Sequence, residues 1–143
     1  MFGLLLKKPD DLALRIKQAL GPDVAAVLSA SCCMPGTQEV DGRVESVARA
    51  ALAEAGLNWP VLTFTVTQAQ STLGRIAGDL VPAEAQLAQQ ISELFMSSGL
   101  SAFPVLLLNQ RLLSYGGVPD LALLRAALPV GPLASDVGHE KAA

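Results

Sequence analysis

The sequence contains few of the residues on which most catalytic and metal sites depend. Among its 143 residues there are two cysteines and one histidine, His139, and aromatic residues make up only 4%. The histidine lies in a C-terminal segment without hydrophobic periodicity, so a serine nucleophile activated by histidine is not expected. Two cysteines cannot form the several disulfides of a small secreted domain, which favours a reducing, cytoplasmic location.

Charged residues are also scarce. They make up 16% of the chain and leave a net charge of -3. The ten Lys and Arg residues are scattered, so no basic surface for nucleic acid is expected. The apolar run at residues 1–6 is much shorter than the ~20 residues that cross a bilayer. Lys7 and Lys8 follow this run instead of preceding it, which is not the order of a secretory signal. We therefore expect a cytoplasmic protein that binds neither nucleic acid nor membrane.

Apolar residues, in contrast, are abundant. They account for 51% of the sequence, enough for a chain of this length to bury a hydrophobic core. The length predicts one domain, which we place at residues 1–130. Residues 131–143 have no hydrophobic periodicity, and we expect them to form a flexible tail.

Apolar residues recur in two alternating patterns along the chain. Short runs rich in apolar and β-branched residues predict strands, and helical spacing predicts helices between them. The predicted strands are residues 2–6 (the weakest pattern), 24–28, 61–67, 103–108 and 111–115. The predicted helices are residues 11–20, 40–55, 73–80, one with its apolar face at 87–95 that ends at Gly99, and 120–128. The segment from Ser71 to Pro82 is the least clear.

The alternation of strands and helices predicts an α/β fold. We expect a mixed central sheet with helices on both faces, and a C-terminal β-hairpin followed by a helix. Asn109-Gln110 joins the last two strands, and a two-residue link is typical of a tight hairpin because asparagine tolerates positive φ. The run at residues 24–28 is continuously apolar, as expected of a central strand that is buried on both faces.

Both cysteines are adjacent, in Ser31-Cys32-Cys33-Met34-Pro35-Gly36. They follow the predicted central strand and precede a predicted helix. A thiol at the start of a helix is placed near the positive end of the helix dipole, which favours the thiolate. Thiolates attack disulfides and bind soft metals, so the pair is either a redox site, a metal site or an inert pair of small buried side chains.

This arrangement resembles the thioredoxin superfamily over residues 2–128. The resemblance lies in the order of elements, a cysteine just after a central strand, and the run Pro104-Val105-Leu106-Leu107-Leu108 before a hairpin. It implies that Cys33 is the nucleophile, that Cys32 assists it, and that Pro104 has a cis peptide bond. It also implies substrate contacts by Met34, Pro35, Phe103 and Pro104. Gly36 stands in the place of the second, resolving cysteine of that family, and Val27 falls near the place of its buried acid.

The resemblance implies thiol–disulfide exchange with protein or small-molecule thiols and disulfides, without a cofactor. Two other interpretations stay open. The Cys32-Cys33 pair is also similar to that of the arsenical-resistance metallochaperones, which implies that the two sulfurs hold a soft metal or trivalent arsenic or antimony. Alternatively, the chain keeps the fold as a redox-silent interaction module.

Overall fold

In the computed structural model of the protein, the described residues are 11–30, 36 and 38–129. The helices and strands among them are α1 (Asp11–Ala19), β1 (Ala25–Ser29), α2 (Gln38–Glu54), β2 (Val61–Thr65), α3 (Val66–Ile76), α4 (Pro82–Ser98), β3 (Val105–Leu108), β4 (Leu112–Tyr115) and α5 (Leu121–Ala127). Short 3-10 turns at Ala77–Asp79 and Gly99–Ala102 follow α3 and α4.

The four strands form one mixed sheet in the order β2-β1-β3-β4. β1 pairs with β2 in parallel, whereas β3 is antiparallel to both β1 and β4. All five residues of β1 are buried, as expected of a central strand that is covered on both faces. The prediction of an α/β fold with a mixed sheet is therefore confirmed.

Helices cover both faces of the sheet, because successive side chains along a strand point to opposite sides. From β1, Ala26 and Leu28 belong to the core that α1, α3 and α4 complete. Ala25 and Val27 belong to the core formed with α2 and α5. The second core is built mainly from fully buried aliphatic side chains, which are Val27, Val44, Leu106, Leu108 and Leu124.

The C-terminal hairpin has the predicted two-residue turn. Asn109 and Gln110 both adopt positive φ, at 52° and 67°, the conformation of a type I′ turn. The backbone N–H of Leu108 donates to the carbonyl of Arg111 (2.8 Å), and that of Arg111 donates back (3.1 Å). The hairpin is thus closed by two main-chain hydrogen bonds between Leu108 and Arg111, the residues that flank the turn.

The prediction was wrong at the boundary between β2 and α3. The β-branched residues Val66 and Thr67 suggested a strand over 61–67, but both lie in the helix. The cause is a capping box at Thr65. The backbone N–H of Gln68 donates to Thr65 Oγ1 (3.1 Å), and the N–H of Thr65 donates to Gln68 Oε1 (2.9 Å). This local pairing starts α3 earlier than the predicted helix at 73–80.

Other boundaries differ by a few residues, and three predictions are not tested. β3 begins at Val105, so Phe103 and Pro104 precede the strand. The strand predicted at residues 2–6 and the tail predicted at 131–143 lie outside the described residues. The single domain over 1–130 stays a prediction.

An ion pair joins α1 to the start of α4. Lys17 Nζ donates to Glu84 Oε1, and also to the carbonyl of Asp79 (3.2 Å). Burial disfavours the charged form of Glu84. The hydrogen bonds from Lys17 and from the N–H of Val81 outweigh that effect and hold the pKa of Glu84 below its ordinary value of 4.5. The ion pair therefore fixes α1 against α4 while Glu84 is ionised.

Replacing Leu106 by alanine should strongly destabilise the protein. Leu106 is fully buried between α2 and α5, so Leu106→Ala removes apolar contacts and leaves a cavity, which costs about 2–5 kcal/mol. The free energy of unfolding in urea measures this. The matched control is Leu14→Ala, since Leu14 is 57% exposed and should change stability by about 0.5 kcal/mol or less. Equal effects of the two substitutions would contradict the assigned core.

The Glu84 ion pair predicts a specific dependence of stability on pH. A carboxyl group with a lowered pKa stabilises the fold above its ordinary pKa, and that contribution is lost as pH falls through the lowered value. Unfolding free energies at about pH 7 and pH 3 should therefore differ less in Glu84→Gln than in the wild type. Glu93→Gln, at an exposed position of the same helix, should follow the wild type. The same pH dependence in all three proteins would rule out this role of Glu84.

Candidate functional site

Three chain segments meet at one edge of the sheet. β1 and β2 are parallel, so Ser29 and Thr65, their last residues, lie side by side. β3 runs the opposite way, with Val105 paired to Leu28. One step further along that register, Pro104 lies beside Ser29. The carboxyl ends of β1 and β2 and the residue before β3 thus form a single edge.

The peptide bond between Phe103 and Pro104 is cis, as the resemblance implied. Both residues are buried, with Phe103 only 6% exposed. The Phe103 ring packs edge-on against Phe95, with 6.2 Å between the ring centroids. Phe103 is therefore part of the core next to this edge of the sheet, and its contact with a substrate stays a prediction.

The cysteine-bearing segment continues directly from this edge. Cys32, Cys33, Met34 and Pro35 lie outside the described residues, but the ends of the segment are fixed. Cys33 follows Ser29 by four residues in the sequence. Gly36, just before α2, has φ of 93°, a conformation that glycine adopts without a steric penalty.

A hydroxyl–carboxylate pair, formed by a buried serine and a half-buried aspartate, lies at the same edge. The Ser29 hydroxyl donates to Asp41 Oδ2, and Ser29 is only 3% exposed. The second carboxylate oxygen, Asp41 Oδ1, is buried and has no hydrogen-bond partner. Asp41 lies in the first turn of α2. That position does not supply a donor for Oδ1.

The sequence alone did not reveal this pair. In the sequence, Ser29 directly follows the apolar run predicted as a strand, and Asp41 lies near the start of the next predicted helix. The two residues are 12 positions apart, and no spacing rule connects a strand end to the first turn of the next helix. A serine ending an otherwise apolar strand was the one available signal, since a buried hydroxyl needs a partner.

A cavity of about 260 Å³ opens beside Asp41, at the carboxyl ends of β1 and β2. We call it the Asp41 pocket. It contains two carboxylates and several neutral polar groups, and its lining includes Ser29, Asp41, Glu45, Thr63, Thr65 and Gln68. In open α/β sheets, ligands bind at the carboxyl ends of parallel strands. The position of the pocket is therefore one in which a substrate group would be expected.

A larger cavity, of about 470 Å³, lies between α3 and α4. Its walls are mostly apolar and include Leu73, Ile91, Phe95 and Phe103. Among the described residues that line it none is charged, and the polar side chains are those of two glutamines and one serine. Phe103 thus lines this cavity, and the residue that follows it, Pro104, lies at the edge of the sheet.

Comparisons with models of known protein families, with curated proteins and with solved structures found no match to this chain. Across the described ranges 11–30 and 38–129, no helix combines the length and the apolar character needed to cross a membrane.

Removing the Ser29 hydroxyl should destabilise the fold through Asp41. Ser29→Ala leaves neither oxygen of a half-buried carboxylate with a hydrogen-bond donor, which costs about 1–3 kcal/mol. Urea unfolding measures the loss. Ser97→Ala is the control, because the exposed Ser97 hydroxyl only bonds the Leu94 carbonyl of its own helix. A loss in Ser29→Ala no larger than in this control would disprove the proposed importance of the pair.

Proposed function

We propose that this protein is a thioredoxin-like thiol–disulfide exchange protein in which Cys33 attacks and Cys32 assists. The observation that carries the proposal is the register of β1 against β3. That register places the cis-bonded Pro104 beside Ser29, at the edge from which the chain continues into Cys32-Cys33. Pro104, more than 70 positions from Cys33 in the sequence, thereby lies beside Ser29, which precedes Cys32 by three residues.

The arrangement of elements supports the same proposal. The order of the elements agrees with the one that the thioredoxin resemblance implies. The parallel strands β1 and β2 are followed by α3, and the antiparallel β3–β4 hairpin is followed by α5. The cysteine segment is followed within a few residues by α2, a helix of 17 residues. The amino-terminal end of such a helix carries partial positive charge and free N–H groups. Both favour the thiolate over the thiol.

The proposed reaction needs only the two sulfurs of the pair. The Cys33 thiolate attacks one sulfur of a substrate disulfide, forming a mixed disulfide and releasing the other substrate half as a thiolate. The Cys32 thiolate then attacks the Cys33 sulfur and releases the second half. The substrate gains two electrons, and the protein is left with a Cys32–Cys33 disulfide. An external thiol reverses the two steps and restores the reduced pair.

The remaining predicted site residues have supporting roles in this proposal. Pro35 shapes the approach to α2, and Met34 contacts the substrate beside the attacking sulfur. Pro104 presents the backbone of Phe103 to an extended substrate segment, which would pair with it through main-chain hydrogen bonds. The metalloid-carrier and redox-silent interpretations stay predictions, and no described residue favours either one.

The two cysteines should have different roles in a trapping experiment. The reduced protein is mixed with hydroxyethyl disulfide, quenched with acid and analysed by mass spectrometry. Cys32→Ser should accumulate a mixed disulfide at Cys33, because the resolving sulfur is absent. Cys33→Ser should react at least about tenfold more slowly, because Cys32 is not the activated thiolate.

The wild type should pass through the mixed disulfide to an internal disulfide that is two hydrogen atoms lighter than the reduced protein. Equal reactivity of the two single variants would contradict the assignment of Cys33 as the attacking thiol. If no adduct forms in any of the three proteins, the exchange function is wrong.

A further inference from the structure

We propose that the cavity between α3 and α4 binds an uncharged small molecule with a mainly apolar body. We call this space the α3–α4 cavity, and its walls include Leu73, Ile91, Phe95 and Phe103. The inference does not depend on the proposed exchange function, because binding of such a molecule requires no thiol. The size of the cavity, the shape and chemistry of its walls and a glycine in α3 carry the inference.

The cavity separates two helices that would be expected to touch. Only residues 77–81 join α3 to α4, and helices with so short a link commonly pack side by side as a hairpin. α3 instead packs against α1, and a space of about 470 Å³ lies between it and α4. Protein interiors contain few voids larger than a water molecule, whereas sites for small molecules have volumes of about 300–1,000 Å³. The space therefore has the size of a ligand site.

The large apolar side chains lie inside the cavity and not on its rim. The buried lining residues are Val66, Ala69, Ile91 and Phe103. The exposed lining residues are all small or uncharged and polar, namely Gln70, Gly74, Ala77, Ala85, Gln89 and Ser92. An interface with another protein typically presents aromatic residues and methionine outward. The α3–α4 cavity offers its apolar contacts only to a molecule that enters it, which favours a small ligand.

The polar groups of the lining indicate the charge of that ligand. Among the described lining residues none is charged, so a charged ligand would lose its water without gaining an ionic partner. Gln70, Gln89 and Ser92 offer neutral hydrogen-bonding groups. The Gln89 amide nitrogen donates to Glu93 (3.0 Å), so the Gln89 carbonyl oxygen is the group left to accept from a ligand. An apolar body with one neutral N–H or O–H donor matches this set.

A glycine keeps one wall of the cavity open. Gly74 lies inside α3 and lines the cavity, although glycine lowers the stability of a helix relative to alanine. A Cβ atom at Gly74 would meet no atom within 4 Å, and the backbone there does not adopt positive φ. Neither crowding nor conformation therefore requires glycine at this position. Its effect in the folded protein is to leave space at the cavity, where a ligand can approach the backbone closely.

Two fluorescent probes that differ by one charge test the proposal. N-phenyl-1-naphthylamine (NPN) is uncharged, mainly apolar and carries a single N–H, and its fluorescence rises when it leaves water. Titration of the folded full chain should show saturable binding at one site, and NPN should raise the melting temperature. 1-Anilinonaphthalene-8-sulfonate has the same rings and N–H with an added sulfonate. It should bind about tenfold or more weakly, because the sulfonate finds no charged partner in the described lining.

Two variants fill the cavity from opposite walls. Gly74→Leu in α3 and Ala85→Leu in α4 should each weaken NPN binding about tenfold or more, because the new side chain takes apolar contact area from the probe. The control for the first is Gly42→Leu, at another exposed glycine inside a helix where a Cβ atom also meets nothing within 4 Å. The control for the second is Ala83→Leu, at an exposed position of α4 outside the cavity lining. Both controls should bind NPN as the wild type does.

Urea unfolding shows whether a lost site reflects a damaged fold. Leucine has a higher helix propensity than glycine, so Gly74→Leu and Gly42→Leu should both be at least as stable as the wild type. Loss of NPN binding in a variant of undiminished stability must then come from the filled cavity. Reduced stability of Gly74→Leu would contradict the open space assigned to that wall.

Several results would overturn the proposal. The absence of saturable NPN binding by the wild type would exclude the site, and equal affinity for the sulfonated probe would exclude an uncharged ligand class. Equal losses in the filling variants and their controls would place the probe elsewhere on the protein. A change of oligomeric state in Gly74→Leu, with NPN binding retained, would show that the cavity is an interface between two copies. The exchange function is tested separately by disulfide trapping, so failure of either proposal leaves the other intact.

Discussion

The antiparallel pairing of β1 with β3 is the constraint on which the site depends. β1 is buried on both faces, and its side chains alternate between two separate cores. A shift of one residue in its register would move every one of these side chains to the wrong face. The hydrophobic cores therefore fix the register, and the register fixes Pro104 beside Ser29. The position of the candidate site is therefore set by the hydrophobic packing of β1, whose core side chains take no part in the proposed reaction.

Polar groups are concentrated where this apolar strand ends. Ser29 and Thr72 are the buried polar residues of the described chain, and Ser29 lies at the boundary between core and pocket. Its hydroxyl donates to Asp41. In the neighbouring strand, the Thr65 capping box ends β2 and begins α3. The chain thus changes from a dry core to a polar pocket within one residue of the end of β1. The Asp41 pocket opens at that position.

The sequence predicted most of the fold because its strands and helices follow strong hydrophobic patterns. The unbroken apolar run before the cysteines identified the central strand, and Asn109-Gln110 identified the hairpin turn. The boundary at Thr65 was missed because β-branched residues continue past it, and a side-chain to backbone pair decided where the helix starts. The Ser29–Asp41 contact was missed because it joins two elements through the tertiary structure. Side-chain pairing of that kind leaves no periodic signal in a sequence.

The central claim is that Cys33 is an activated thiolate at the edge of the sheet formed by β1 and β3. The most direct measurement is the ultraviolet absorbance of the thiolate near 240 nm against pH in Cys32→Ser, where Cys33 is the only thiol. We expect the pKa of Cys33 to be well below the ordinary thiol value of about 8.5 in the folded protein and to return to it in urea. A pKa of about 8.5 or higher in the folded protein would contradict the claim.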